Sequence, residues 1–303
     1  MRVIITHNDS DGIISLVIFL KANKNKKYRM FFSTNTRLKD TICASMIGNE
    51  NLEELCIFDI SPSELTLRLA SIYQEVLWID HHKCSIREAP ENVKLIIDSD
   101  APSAAQVIAN FLKIEDPLVD LANQIDTNNV KSEEASFLRD LIGAIKWKYK
   151  GPTRISKLKS IAKTLLRKGV EEFERNESMV RLVNEFREWQ EKAVEEGLKR
   201  ILFFNVEDKK IAIYESTFMV PAYVLTEKLR EHEKAPFDII AMLIHRAQKD
   251  KIITKIELRT HTGFDVYKIA NFFGGGGHKV ASGATFNGFL SAHEFLGRIR
   301  QFL

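Results

Sequence analysis

The chain has little cysteine, no long apolar run and almost no net charge. Its three cysteines, Cys43, Cys56 and Cys84, are odd in number and show no C-x-x-C spacing. A disulfide framework and a thiolate zinc site are both excluded as organising features. The stretch Gly12 to Leu20, "GIISLVIFL", falls far short of a membrane span, and "MRVIITHNDS" has too short an apolar run for a secretory signal. The expectation is a cytoplasmic protein with no membrane partner. No internal repeat and no low-complexity tail appears. A net charge of +3 does not by itself point to nucleic acid. What is present is 45% hydrophobic and 28% charged residues over 303 positions, the composition of a globular protein long enough for two domains with separate cores.

The first half alternates β-branched apolar runs with helical segments, which predicts βα units and a mostly parallel sheet. Strands are expected at Arg2 to Thr6, Tyr28 to Ser33, Leu55 to Asp59, Val76 to Asp80 and Lys94 to Ile97. Helices are expected at Ile13 to Asn23, Ser63 to Tyr73 and Ser103 to Leu112. From about Ile155 to Ile201 the pattern becomes long helix, with Leu182, Phe186, Trp189 and Ala193 as its apolar stripe. After it, "ILFFNV", "KIAIYE", "FDIIAMLIHRA" and "ITKIELRT" read as strands of a smaller α/β domain, closed by a helix over 292–302. The predicted division is 1–150, a helical connector over 151–201, and 202–303.

Chemistry concentrates at the ends of the first-half strands. In "THNDSDG" an apolar run ends in His7, Asp9, Asp11 and Gly12. Read as extended chain, period two sends residues 7, 9 and 11 to one side. Two carboxylates so close repel each other unless a cation sits between them. "LCIFDI" ends in Asp59, and "VLWIDHHK" ends in Asp80, His81 and His82. Ligands of open parallel sheets bind at the carboxyl ends of strands, so these groups should converge. Asp126 in "LANQIDTNN" is a fourth contributor, preferred to Asp120, which sits in a helical pattern. Carboxylates and imidazoles without thiolates suit manganese or magnesium more than structural zinc. Asp98 and Asp100, before "APSAA", read instead as helix N-caps.

"HNDSDG", "FDIS", "IDHHK" and "QIDTNN", in that order and spacing, resemble the four motifs of the DHH phosphoesterase superfamily. "ELRTHTGFDVYKIANFFGGGGHKVASGAT" is similar to the glycine-rich domain associated with it. The resemblance implies a metal-binding catalytic domain, a substrate-binding domain and an active-site cleft between them. It also implies two manganese ions, with magnesium as a substitute. One ion would be held by His7, Asp9 and Asp59, and the other by Asp11, Asp59, His81 and Asp126, with Asp59 bridging. Asp80 would orient an imidazole, and His82 would face the substrate as a phosphate contact or proton donor.

Arg259 stands where the family carries a substrate-gripping arginine. The run Gly274 to Gly277 reads as an anion nest whose N–H groups point inward, with His278 adding a bond to phosphate; Gly275, Gly276, Gly277, His278 and Arg259 are the expected substrate contacts. His261 lies close by in sequence. Between Arg139 and Lys168 the chain is dense in lysine and arginine, with Asp140 as its one acid and Trp147 and Tyr149 interleaved. That stretch either tracks a phosphate backbone or is a solvated helix face.

The leading expectation is a RecJ-like exonuclease releasing mononucleotides from single-stranded DNA or RNA by two-metal hydrolysis, closest in appearance to archaeal members. The alternative is a phosphoesterase for short oligonucleotides or for small bisphosphorylated or cyclic nucleotides. A non-catalytic replication accessory subunit is disfavoured because every ligand position is filled. A manganese pyrophosphatase is disfavoured because that branch lacks the G-G-G-G-H domain. A replication or repair protein as partner, and the oligomeric state, stay open.

Overall fold

A computed structural model describes residues 1–84, 86, 88–248 and 251–303 of the chain. It divides into two compact units, Met1–Phe186 and Arg187–Leu303.

The first unit opens with β1 (Arg2–His7), α1 (Ser10–Ala22), β2 (Tyr28–Ser33), α2 (Leu38–Met46), β3 (Glu54–Phe58), α3 (Glu64–Ala70), β4 (Glu75–Asp80) and β5 (Val93–Ile97). The strands form one parallel sheet in the order β2-β1-β3-β4-β5. Val3 and Ile5 point to one face, where they pack with Leu38 and Ile42 of α2 and Leu67 and Ala70 of α3. α1 is buried nearly all round, from Ser10 to Phe19, because it packs on later helices as well as on the sheet. Those helices are α4 (Ala104–Leu112), α5 (Pro117–Asp126), α6 (Glu133–Lys148) and α7 (Gly151–Lys168). Helices therefore cover both faces of the parallel sheet, as the alternating pattern predicts.

Two local expectations change. Asp98 accepts a hydrogen bond from the backbone of Asp100 (3.2 Å) and forms a turn, while the N-cap of α4 is Ser103, whose hydroxyl accepts from Gln106. The long helix over 155–201 is three helices: α7, the single turn α8 (Glu171–Glu174) and α9 (Glu177–Leu198). The break falls at Gly169, whose φ of 80° a helix does not continue through. On α9 the buried positions are Leu182, Val183, Phe186, Gln190, Val194 and Gly197, and Trp189 is only half-buried.

The basic stretch spans the end of α6 and all of α7, and part of it serves the fold. Arg154 donates to the carbonyls of Lys146 (2.9 Å) and Tyr149 (2.8 Å), closing the end of α6. Lys148 pairs with Glu185 at 2.7 Å.

The second unit carries β6 (Ile201–Val206), β7 (Lys209–Ser216), α10 (Ala222–Arg230), β8 (Ile239–Gln248), β9 (Lys251–Arg259), α11 (Val266–Phe272), β10 (Gly276–Gly277), β11 (Ala281–Asn287) and α12 (Ala292–Ile299). Its sheet runs β10-β11-β9-β8-β7-β6, with β7 and β8 parallel and the other pairs antiparallel. One face packs on α11 and α12, the other on α10.

A polar network crosses the second sheet. Glu215 accepts from the first backbone N–H of α12 at Ala292 (2.7 Å) and faces Nε2 of the buried His245 (3.3 Å). Nδ1 of His245 meets the hydroxyl of Thr254 (3.0 Å), which also donates to Gly288 (2.8 Å) and accepts from Leu290 (3.0 Å). A hydrogen bond to a charged group is typically worth about 1.5–3 kcal/mol. Glu215→Ala should therefore lower the stability of the second unit by about 2 kcal/mol, measured by urea denaturation followed through exchange of the Ala292 amide.

Candidate metal centre

The site is built at the carboxyl ends of β1, β3 and β4, the three central strands of the first sheet. His7 is the last residue of β1 and Asp9 caps α1, its side chain accepting from Gly12 at 3.1 Å. Asp11 lies in the first helical turn. The extended reading of residues 7, 9 and 11 is thus corrected: the chain turns from strand into helix, and the turn is what gathers the three side chains. Gly12 permits it, because a Cβ there would meet the carbonyl oxygen of His7 at 2.5 Å and its Cβ at 2.8 Å.

Asp59 follows β3 in the left-handed region, with φ of 56°, while its N–H still donates to Ile79 at 3.0 Å. Such a backbone is costly for most residues and tolerable for Asp. It turns the carboxylate toward both neighbours. Oδ2 lies 3.6 Å from Nδ1 of His7, and Oδ1 lies 3.7 Å from Nε2 of His81.

Within the first unit three sets of ligand atoms result: His7, Asp9 and Asp59; Asp11, His81 and Asp126; and Asp59, Asp80 and His82, the first and third sharing Asp59. Within them His7 Nδ1 pairs closely with Asp9. Nδ1 of His81 faces the carbonyl of Ala101 at 3.3 Å and can only donate to it, which leaves Nε2 for Asp11 (3.6 Å) and Asp126 (3.4 Å). Asp126, the last residue of α5, closes this second set. Asp80 is fully buried and holds Nδ1 of His82 at 2.7 Å.

Burial pushes the Asp59 carboxyl well above the usual carboxylate range, and the charges of Asp9, Asp11, Asp126 and Asp80 push it further. Burial also raises Asp126, with Asp11 and Asp9 adding to it. For Asp11, burial outweighs the opposing pull of His81 and of the N–H groups of Ala104 and Ala105. For Asp9, burial is outweighed by His7, with help from the ammonium of Lys146, and the carboxyl falls below its ordinary value. His82 is desolvated too, yet Asp80 lifts it to about 9.

The crowd of carboxylates asks for positive charge, and one oxygen shows it directly. Oδ2 of Asp59 is buried and accepts no hydrogen bond from any described residue. Oxygen and imidazole donors at this spacing fit divalent metal ions, so the residues present fit the expected metals.

Sequence reasoning missed two contributions. The N–H groups of Ala104 and Ala105, at the start of α4, hold the two oxygens of Asp11 at 2.6 and 3.0 Å; backbone donors carry no side-chain signature. Lys146 came to notice only as part of a basic run, although its charge acts on Asp9.

In the second unit the anion-nest reading is corrected. Gly274 and Gly275 donate to Asn271 (2.9 Å) and Ala270 (2.8 Å) and terminate α11, with Gly274 at φ of 73°. Gly276 and Gly277 pair with Gly283 and Ser282, and His278 donates its N–H to Ala281 (2.8 Å). The run is a helix cap passing into a tight hairpin. A Cβ on Gly275 would lie 2.1 Å from the carbonyl of Gly283, and one on Gly277 2.7 Å from the carbonyl of Ala281, so these two glycines are required by close packing. Gly276 alone of the four meets open space without a positive φ. Arg259 ends β9 in register with Ala281, beside the hairpin that carries His278. His261 is structural: Nδ1 accepts from Phe237 (3.3 Å) and Nε2 donates to the carbonyl of Thr226 (2.9 Å).

Fold and site together define a cluster of carboxylates and imidazoles able to hold metal ions at the carboxyl end of a parallel sheet. Residues 202–303 match the DHHA1 domain. The match covers about a third of the chain, and the first unit, outside it, carries the carboxylates and imidazoles gathered at its strand ends. It is similar in fold to the pGpG-specific phosphodiesterase PggH from Vibrio cholerae, at 14% identity and a TM-score of 0.57, over 99% of this chain and 96% of that one. It is also similar to RecJ from Thermus thermophilus, a structure in complex with Mn2+, at 15% identity and a TM-score of 0.58 over 99% of this chain. There the chain spans only 52% of the RecJ length. A second exonuclease RecJ structure, bound to manganese, matches at 14% identity and a TM-score of 0.55, over 99% of this chain and 88% of that one. No curated protein matches the sequence. No helix among the described residues is long and apolar enough to cross a membrane.

Because Asp59 is buried among like charges, Asp59→Asn should melt higher than the native protein in chelator. It should also lose most of the stabilisation that added manganese gives the native protein. Scanning calorimetry with and without metal checks both; a lower melting temperature for Asp59→Asn in chelator would mean that the repulsion is already relieved within the chain.

Proposed function

We propose that the chain is a RecJ-like exonuclease that hydrolyses terminal phosphodiesters of single-stranded DNA or RNA and releases mononucleotides, using two manganese ions that magnesium can replace. The observation that carries this reading is the carboxylate of Asp59, set between two ligand clusters. His7, Asp9 and Asp59 would hold one ion, and Asp11, Asp59, His81 and Asp126 the other. When bound, such a pair lowers the pKa of water and neutralises charge on the reacting phosphate. The chain's own residues do the remaining work. Asp80 fixes the ring of His82, which touches the substrate phosphate or gives a proton to the leaving oxygen. Arg259 and His278 bind the phosphate of the chain end, and Gly276 lets the backbone come near it. The proposed division of labour assigns metals to 1–150 and substrate to 202–303, with 151–201 between them.

A second reading, hydrolysis of very short oligonucleotides, is favoured by one observation: the likeness to the pGpG-specific phosphodiesterase runs over nearly the whole length of both chains.

Single-stranded DNA and RNA ladders labelled separately at each end, incubated with manganese, decide between the readings. The exonuclease reading expects mononucleotide release from long strands; digestion confined to the shortest rungs selects the second. Excess chelator should abolish hydrolysis on either reading. Asp59→Ala should reduce turnover more than Asp126→Ala, because a bridging ligand serves both ions, and initial rates at saturating manganese test the order.

A further inference from the structure

The edge of the first sheet carries a basic group with no counter-charge among the described residues. β2 is the edge strand, and Arg29, Phe31 and Ser33 point to one face of it. The guanidinium of Arg29 lies 5.1 Å from the centre of the Phe31 ring, and the ammonium of Lys159, from α7, lies 6.0 Å from the same ring. Lys163 follows one turn later on the same face of α7. Burial lowers the pKa of Lys159, and the charges of Lys163 and Arg29 lower it further. Arg29 donates to the carbonyl of Ile47 at 3.0 Å. Among the described residues no carboxylate pairs with any of the three. Three cations held together without an acid form an anion site in waiting.

The strand direction gives that site its place. β2 and β1 are parallel, with Ser33 beside His7; α2 covers the face of β2 that carries Arg29 and Phe31, so the open path is the outer edge of β2, where Lys159 meets the Phe31 ring, and it runs toward the end of the sheet that holds the metal centre. Ser33 is four steps along the strand from Arg29, about 13 Å at the usual rise. A dinucleotide with its scissile phosphate at His7 has no further phosphate that reaches so far. A longer strand does.

We propose that Arg29, Lys159 and Lys163 bind the phosphodiester backbone of the part of a single strand that extends away from the cleavage site along β2. The proposal rests on the exonuclease reading and deepens it, since it makes strand length a determinant of affinity. It also narrows the basic stretch read in the sequence to its α7 half and joins that half to a strand remote from it in the chain.

Fluorescence anisotropy of the full chain in chelator, with a labelled dinucleotide and a labelled twelve-nucleotide strand over a range of salt, tests it without hydrolysis. The native protein should bind the longer strand more tightly. The double variant Lys159→Gln, Lys163→Gln should bind that strand about tenfold more weakly, with a log-log salt slope shallower by about 1.4, at about 0.7 for each phosphate left without its cation. Lys163→Glu, at an exposed position, should shift affinity in the same direction. If the native protein prefers the longer strand but neither variant changes its affinity or salt slope, the strand does not follow this edge, and this proposal alone is overturned. If the native protein binds both lengths equally, the exonuclease reading fails and the site fails with it.

Discussion

Mutual repulsion among crowded carboxylates, two of them buried and two nearer the surface, governs the first unit. Asp9, Asp11, Asp59 and Asp126 act electrostatically on one another, and each is held by something that does not depend on the others. Asp9 caps a helix, Asp11 is gripped by the N-terminal amides of α4, Asp59 is carried on a left-handed backbone, and Asp126 ends α5. The parallel sheet makes this arrangement sustainable. Its hydrophobic strands are buried on both faces, so the rigid core lies beneath the charges and resists their tendency to separate. Preorganisation of that kind raises affinity for a cation, because the ligands do not have to be gathered when it arrives.

The same logic separates the two imidazoles of the D-H-H run. Adjacent in sequence, His81 and His82 are locked through their Nδ1 atoms to different acceptors, a backbone carbonyl for the first and the Asp80 carboxylate for the second. A neutral acceptor leaves the first ring fit to be a ligand. The carboxylate partner makes the second more basic. One dipeptide thus supplies two different chemistries through what lies behind each ring.

Much of this was legible in the sequence because it depends on where strands end. The apolar runs before His7, Asp59 and Asp80 located three strand termini, and parallel topology then required them to meet. What depended on the backbone was not legible. Period two in "HNDSD" suggested continued strand, whereas the local preference of Asp9 for an N-cap and the small Gly12 started a helix at once. Four successive glycines suggested an open nest, but the end of α11 needed donors for its last carbonyls and took the first two amides. The helix α2 was passed over because its nine residues show only a weak apolar stripe, with Leu38, Ile42 and Ser45 its buried positions. Arg29 and Lys159 lie 130 positions apart in the chain, and no local pattern links them.

The contact between Gly12 and the backbone of His7 has an evolutionary consequence. One van der Waals surface there seats α1 on β1 and, in the same stroke, fixes how far Asp11 stands from His7. A side chain at position 12 would wedge the helix away from the strand, so folding and metal capture would be damaged together and no compensating change at the ligands could recover either alone. Variation in a lineage of such enzymes is therefore channelled away from this junction. It is freest on the outer face of α7 and the rim of the sheet, where a substitution leaves the junction and the carboxylates around it as they are.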